Sequence, residues 1–247
     1  MMMNLTPCVL LALLSSARAS NPYHDLVTAL EAKYDDRENQ HQVTRASLRL
    51  GETEVSYLAA GPRTAERLVL FLHGAVFSAR TWQIVGSLDQ LASHGYQACA
   101  IDLRSRGANR HTLVSEFLDA LGWRHRVLVV AASAGGMYGT PFVFAHPERV
   151  AGYVSIAALM DGSPRNGSST VPALAIWGEL DRPQRAGPTL SAFASSHLVI
   201  FPGAPHPAYL KDPLRFNKLI LEFASHGEAG GSSGLPVAAA WDRRRRI

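Results

Sequence analysis

The stretch "LVVAASAGGMYGTPF", Leu128 to Phe142, determines how the rest of the chain is interpreted. It begins with an apolar run typical of a buried strand, turns through the small residues "ASAGG" and continues in a pattern typical of a helix. A strand, a tight turn centred on a serine and a helix together form the G-x-S-x-G nucleophile elbow. Because Ala131 stands in place of the first glycine, Ser133 is either a nucleophile or a small residue in a tight turn.

Short apolar runs alternate with helical patterns on both sides of this stretch. Strands are predicted at "ASLRL", "EVSYLAA", "RLVLFLH", "YQACAID", "RVLVVAA", "AGYVSIAAL", "ALAIWG" and "HLVIF". Helices are predicted in "NPYHDLVTALEAKYDD", "ARTWQIVGSLDQLASHG", "TLVSEFLDALG", "GGMYGTPFVFAHPERV", near Gly187 to Ala194, and in "DPLRFNKLILEFASH". This alternation predicts an α/β fold with a mainly parallel sheet covered by helices on both faces.

Length and charge favour one globular domain that does not bind nucleic acid. The chain has 247 residues, 47% of them hydrophobic and 18% charged, which is enough for one sizeable core. The net charge is +4, but from Ser20 to His226 there are 19 Lys and Arg against 18 Asp and Glu. The folded part is therefore nearly neutral and lacks the excess of cations that nucleic-acid binding requires.

The two ends of the chain differ in composition from its body. Residues 1–19 end in Ala17-Arg18-Ala19, which predicts a secretory signal peptide cleaved before Ser20 and a secreted protein. Its start has no Lys or Arg and its apolar run is short, so a disordered leader on a cytoplasmic protein is the alternative. We assign residues 20–44 to an N-terminal helical extension, 45–226 to the main domain and 227–247 to a disordered basic tail.

Neither end predicts a membrane anchor, since the apolar run of the leader is far shorter than the roughly 20 residues that a span needs. Cleavage of the leader would leave Cys99 as the only cysteine, which makes an internal disulfide impossible. Asn166, in "NGS", is a glycosylation acceptor if the chain enters the secretory pathway. The sequence does not determine the oligomeric state.

Three residues suited to nucleophilic catalysis follow three predicted strands. Ser133 follows "VLVVAA", Asp181 follows "ALAIWG", and His206 lies just beyond "HLVIFPGA". In open parallel sheets, sites form at the carboxyl ends of the strands. The chain order Ser, Asp, His, with the serine at a strand-to-helix turn, is the order found in α/β-hydrolases.

These residue types define a chemistry. His206 would accept the proton of Ser133 as a general base, and Asp181 would hold the imidazole in the useful tautomer. The oxyanion would bind the backbone N–H of Ala134 and that of Ala75 in "HGAVFS". We expect no metal and no organic cofactor.

Other residues compete for two of these roles. Asp161 follows the preceding strand, and Glu179 is two residues from Asp181, so each is an alternative acid. His73 begins the loop "HGAVFS", where it is better suited to bracing the backbone than to proton transfer.

Cap domains of related folds lie between the strands that end near Leu159 and begin near Ala173, and this segment is too short for a large one. Candidate pocket walls, each of which is also a candidate core residue, are Phe77, Trp82, Tyr138 and Met160.

The quoted residues carry a resemblance to a known family. "LFLHGAVFSARTWQIVGSLDQLASHGYQACAIDL", "SAGGMYGTPF", and "PALAIWGELDRP" through "FPGAPHPAYLKDP" resemble the α/β-hydrolase superfamily. Over about Ala46 to Ser225 they are similar to its domain-containing type 14 members, which include the CCG-one-interacting factor B proteins. The resemblance implies the α/β-hydrolase fold, triad positions at Ser133, Asp181 and His206, and a dispensable first glycine in the elbow.

The resemblance also implies an activity. Members are associated with hydrolysis of small activated esters and, in one branch, with removal of acetyl groups from lysine onto coenzyme A. The segment "LRSRGANRH" replaces the proline-glycine turn that the subgroup has after Asp102, and this difference concerns substrate specificity. We expect a serine hydrolase acting on small acyl esters. The alternatives are a protein-lysine deacetylase, which the leader argues against, and a non-catalytic binding protein of the same fold.

Overall fold

Eight strands form a single sheet in the computed structural model, which describes residues 22–35, 43–103, 109–160 and 169–226. The strands are β1 (Thr44–Leu50), β2 (Thr53–Ala60), β3 (Leu68–Leu72), β4 (Gln97–Ile101), β5 (Val127–Ala132), β6 (Val150–Ile156), β7 (Ala173–Gly178) and β8 (Ser196–Phe201). Their spatial order is β1-β2-β4-β3-β5-β6-β7-β8. β1 pairs antiparallel with β2, and β2 with β4, whereas all other pairs are parallel.

Helices cover both faces of the sheet. They are α1 (His24–Asp35), α2 (Arg80–Ile84), α3 (Ser87–Ala92), α4 (Leu113–Ala120), α5 (Gly136–Ala145), α6 (Gly187–Ala192), α7 (Ala208–Lys211) and α8 (Pro213–His226). Short 3-10 turns occur at Ser133–Gly135, Pro147–Arg149 and Pro183–Ala186. The predicted α/β class and mainly parallel sheet are confirmed. The predicted leader and tail, Asp161 and Asn166 lie outside the described residues.

The central strands are buried on both faces, because alternate side chains enter different cores. In β3, Val69 and Phe71 join one apolar cluster, whereas Leu68, Leu70 and Leu72 join the other. β5 divides its residues in the same way. This double burial explains why these strands read in the sequence as continuous apolar runs rather than as alternating ones.

The sequence predicted one helix in "ARTWQIVGSLDQLASHG", and this prediction is wrong. The structure has two short helices, α2 and α3, separated at Gly86, whose φ of 78° is left-handed. A residue in that conformation cannot continue a right-handed helix, and glycine adopts it at little cost. The helical path is therefore interrupted at Gly86.

No helix within the described part of the chain is both long and apolar enough to cross a membrane. Between the end of β6 at Ile156 and the start of β7 at Ala173, the chain is too short for a large cap domain.

A buried hydrogen-bonded side chain joins α8 to the segment that links α2 and α3. The Ser87 hydroxyl donates to Oδ1 of Asn217 at 2.6 Å, and Nδ2 of Asn217 donates to the carbonyl of Val85 at 2.8 Å. Ser87 and Asn217 are both buried. Asn217 therefore satisfies two polar groups where two elements pack together.

We expect Asn217→Leu to lower the free energy of unfolding by about 2 kcal/mol, because it leaves the Ser87 hydroxyl and the Val85 carbonyl buried without these partners. Lys218→Leu is the matched control, since its side chain on the same helix is 77% exposed. Its effect should stay within about 0.5 kcal/mol. Urea denaturation followed by circular dichroism measures both variants, and equal losses would contradict the assigned role of Asn217.

Candidate active site

The turn that follows β5 places Ser133 in a strained conformation. Ala132 is extended, with φ −107° and ψ 128°, whereas Ser133 has a left-handed φ of 48°. Non-glycine residues rarely adopt this region, and they do so mainly where the surrounding structure holds them there. The Ser133 carbonyl accepts a hydrogen bond from the N–H of Leu159 at 2.9 Å. The reversal lifts the half-buried serine above the carboxyl end of the sheet, as in a nucleophile elbow.

Two glycines allow the elbow to approach its neighbours. A Cβ added at Gly135 would lie 2.5 Å from the carbonyl oxygen of Leu72, and one at Gly136 would collide with the backbone of Leu159. Both neighbours are backbone atoms, which cannot move aside without displacing a strand or loop. These two positions therefore require glycine for space rather than for a positive φ.

The alanine at the first motif position is accommodated from the helix side. Ala131 is fully buried, and a Cβ added at Gly139 would lie 3.2 Å from the Ala131 methyl carbon. The glycine that the strand lacks is thus present on α5, opposite the methyl group. Close helix–strand packing is kept because one of the two facing residues has no side chain.

Asp181 and His206 are joined directly. Nδ1 of His206 lies 2.6 Å from Oδ2 of Asp181, and their side chains are 35% and 25% exposed, respectively. At this distance Nδ1–H donates to the carboxylate, which leaves Nε2 as the nitrogen with a free lone pair in the neutral ring. The contact fixes the tautomer that a general base requires.

The backbone around this pair is held on both sides. The indole N–H of Trp177 donates to the carbonyl of Asp181 at 2.7 Å. The carboxylate of Glu179 accepts from the N–H of Gly203 at 2.8 Å, and the N–H of Leu180 donates to the carbonyl of Ala204 at 3.0 Å. Glu179 thus holds the loop that carries His206, whereas Asp181 contacts the imidazole ring itself.

His73 braces the loop between β3 and α2. The N–H of Leu103 donates to Nε2 of His73 at 2.9 Å, so the hydrogen is on Nδ1, which lies 2.7 Å from the carbonyl of Gly74. Asp102 approaches the same Nε2 at 3.3 Å, but that nitrogen already accepts a shorter hydrogen bond. The buried ring joins two loops in its neutral form and is not placed as a second base.

The loop after His73 passes directly over the serine. The N–H of Phe77 donates to the carbonyl of Gly74 at 3.1 Å, which closes a turn with Ala75 and Val76 exposed at its centre. A Cβ added at Gly74 would lie 3.5 Å from Cβ of Ser133. Ala75 and Ala134, the predicted oxyanion donors, therefore belong to two segments that meet beside Ser133.

The predicted pocket walls fall into two groups. Trp82 is fully buried and packs against Phe71, Tyr209 and Phe216, so it is a core residue rather than a wall. Tyr138 and Met160 are partly buried, and Phe77 is buried beside Gly74. Burial raises the pKa of Tyr138, while nearby Arg110 lowers it, and the former effect is the larger. Its phenol is therefore protonated at neutral pH.

Sequence reasoning missed two contributions to this edge of the sheet. Tyr23, immediately before α1, stacks on Phe77. In the sequence it lies in a short amphipathic pattern that did not indicate a site. Gly139 compensates for Ala131, and the M-Y-G spacing after the serine could have indicated it. Of the three predicted triad residues, His206 and Asp181 are joined by a hydrogen bond, and Ser133 follows β5 in the same sheet.

Other candidate chemistry lies elsewhere or is inert. A cavity of about 540 Å³ lies at the amino ends of β3, β4 and β5, away from Ser133. Its lining includes Arg63, Trp123 and Arg124. Burial raises the pKa of Cys99 to about 12, so this thiol is not a nucleophile at neutral pH. Within the described ranges, no three His, Cys, Asp or Glu side chains are grouped so that they could hold a metal ion.

Comparisons with known proteins agree with this geometry. A model of the "Alpha/beta hydrolase family" matches residues 69–245. ABHD14B of Pongo abelii, provisionally named a protein-lysine deacylase, is 31% identical over 211 residues, which cover 78% of this chain and 98% of the relative. ABHD14A of Danio rerio is 34% identical over 190 residues, 68% of each chain. A CIB-like hydrolase from Thermoplasma acidophilum superimposes with a TM-score of 0.69 at 20% identity, covering 75% of this chain and 99% of that one.

We expect Gly135→Ala to destabilise the protein by about 1–3 kcal/mol, because the added methyl group meets the Leu72 backbone. Gly187→Ala is the matched control: its φ is −47° and a Cβ there has nothing within 4 Å. Thermal and urea denaturation measure both variants. A Gly135→Ala protein as stable as Gly187→Ala would show that the elbow is not closely packed against β3.

Proposed function

The chain belongs to the alpha/beta hydrolase family and is of the ABHD14 type, and on that basis we propose that it is a serine hydrolase that cleaves small carboxylic esters. The proposed nucleophile is Ser133, the base is His206 and the acid is Asp181. The observation that carries the proposal is the 2.6 Å hydrogen bond between His206 and Asp181 at the same sheet edge as the strained serine. A carboxylate paired in this way holds the ring in the orientation and tautomer in which Nε2 can accept a proton.

The proposed reaction begins when Nε2 of His206 takes the proton of Ser133 as Oγ attacks the carbonyl carbon of the ester. The carbonyl oxygen becomes an oxyanion and accepts hydrogen bonds from the N–H groups of Ala75 and Ala134. His206 then gives its proton to the departing alkoxide, and an acyl-enzyme remains on Ser133. Water, deprotonated by the same imidazole, releases the carboxylic acid and restores the serine.

Two features support this assignment of the oxyanion donors. Ala134 follows the nucleophile at the start of the 3-10 turn that leads into α5, where backbone N–H groups are not used by the helix itself. Ala75 lies at the centre of an exposed turn whose path is fixed by His73 and whose Gly74 lies beside Ser133. Losing one such donor typically costs about 3 kcal/mol of transition-state stabilisation. His73 would therefore affect catalysis through the position of this turn.

A second candidate activity is removal of acyl groups from lysine, which the name of ABHD14B supports. The acyl-enzyme would be the same, but the leaving group would be an amine that His206 must protonate before the C–N bond breaks. Hydrolysis of p-nitrophenyl acetate and of an acetyl-lysine peptide by the same preparation separates the two activities. Formation of the unmodified lysine peptide at a rate comparable with ester cleavage would favour the deacylase.

We expect a fluorophosphonate probe to label the wild-type protein and to fail to label Ser133→Ala. The phosphorus centre reacts only with a serine that is activated by a neighbouring base. Ser93→Ala removes an exposed hydroxyl whose partners, the carbonyl of Gln90 and Nδ1 of His94, are its neighbours in the sequence, and this variant should label like the wild type. A folded wild-type protein that is not labelled would favour a non-catalytic binding protein instead.

The choice of acid can be tested independently. We expect Asp181→Asn to reduce kcat for p-nitrophenyl acetate by about 10⁴-fold, as a misoriented imidazole does in serine proteases. Glu179→Gln keeps an oxygen that can accept from the N–H of Gly203, so its loss should be far smaller. Steady-state kinetics on both variants decide the question. The reverse order of effects would assign the acid to Glu179.

A further inference from the structure

The N-terminal helix α1 has a fixed place beside the candidate site. Leu26, Val27 and Leu30 lie on one side of the helix, partly buried against the core that contains Phe77 and Trp82. Glu31 forms an ion pair with Arg80 of α2 at 3.2 Å. An apolar face and a charged contact thus attach α1 to the helix that follows the loop of Ala75 and Phe77.

Tyr23, immediately before α1, extends this attachment to the site. Its ring stacks on Phe77 with centroids 5.9 Å apart and an interplanar angle of 22°. Phe77 in turn meets Tyr209 edge to face at 6.1 Å, and Tyr209 lies three residues beyond His206. The aromatic contacts therefore connect the residue before α1 with the loop of Ala75 and with the segment that follows His206.

This stack lies next to the nucleophile. Cδ2 of Phe77 and Cβ of Ser133 lie 3.4 and 3.5 Å, respectively, from the same point, the position of a Cβ added at Gly74. Tyr23 covers the Phe77 ring from the side of α1. Phe77 and Tyr23 therefore lie together on one side of Ser133.

The charge environment places Tyr23 at the same edge of the sheet. Burial is the larger cause of its raised pKa, and the negative charge of Asp181 is the second. Tyr23 in turn contributes to the raised pKa of Tyr209. The phenol of Tyr23 is thus within electrostatic range of the acid that holds His206, which agrees with the ring geometry.

We propose that Tyr23, stacked on Phe77, closes the acyl side of the pocket and restricts the enzyme to esters of short acyl chains. In this arrangement α1 supplies the cover that the short segment between β6 and β7 cannot provide. The acyl side is assigned because Phe77 lies in the turn that holds Ala75, next to the carbonyl oxygen, whereas the leaving group must face Nε2 of His206. The inference rests on the proposed serine hydrolase and specifies its substrate class.

The test compares Tyr23→Ala with its matched control Tyr23→Phe, which keeps the ring and the stack. We expect Tyr23→Ala to raise the ratio of kcat/KM for p-nitrophenyl octanoate to that for p-nitrophenyl acetate by about tenfold, since opening a hydrophobic pocket typically changes discrimination by that order. Tyr23→Phe should keep the wild-type ratio. Tyr23→Leu, which fills part of the space, should give an intermediate ratio and replaces Tyr23→Ala if that variant does not fold.

Fluorophosphonate labelling in parallel separates the two proposals. A wild-type protein that neither labels nor hydrolyses the acetate overturns the proposed function and this inference with it. A labelled, active wild type whose octanoate-to-acetate ratio is the same in all folded Tyr23 variants overturns this inference alone. A change that appears only when the alcohol is varied, between ethyl and octyl acetate, also overturns it, because Tyr23 would then face the leaving group.

Discussion

The arrangement of the site depends on how closely the turn after β5 lies against the end of β3. Gly135 approaches the Leu72 carbonyl so closely that no side chain fits between them, and Ser133 takes a left-handed φ of 48° directly before it. The close contact fixes where the chain can reverse, and the reversal fixes where the serine lies. The neighbouring loop must then pass over the serine through Gly74, which brings Ala75 and Phe77 to the same point. The positions of Ser133, Ala75 and Phe77 thus follow from a single packing constraint.

The fold class and the succession of strands along the chain could be predicted from the sequence, because strands buried on both faces appear as short apolar runs between helical patterns. The break at Gly86 could not. The apolar spacing continues across it, and the contacts that accompany the break, from Asn217 to Ser87 and to the Val85 carbonyl, come from a distant part of the chain. Local periodicity records which residues are buried, but it does not record where a helix must bend to bury them.

The site was predictable in part for a related reason. Parallel strands bring their carboxyl ends to one edge, so Ser133, Asp181 and His206 were expected together on topology alone. The choice between Asp181 and Glu179 depends on backbone direction within a short loop, and spacing does not encode that direction. In the structure the two carboxylates divide the work: Glu179 holds the backbone at Gly203, and Asp181 meets the imidazole. The same limit applies to Trp82. The sequence made it a candidate for either a pocket wall or the core, and in the structure its ring lies in the core.

The elbow also shows that the motif depends more on the space between strand and helix than on the residue type at each position. Ala131 departs from the usual glycine, yet the facing residue on α5 is Gly139, so helix and strand still approach closely. The residue without a side chain is on the helix instead of on the strand. The same reasoning applies to the cover of the site. The segment between β6 and β7 is too short for a large cap domain, and α1, joined to the loop of Ala75 through Tyr23 and Phe77, lies beside the candidate site. In both cases the requirement concerns which volume is filled, and different parts of the sequence can meet it.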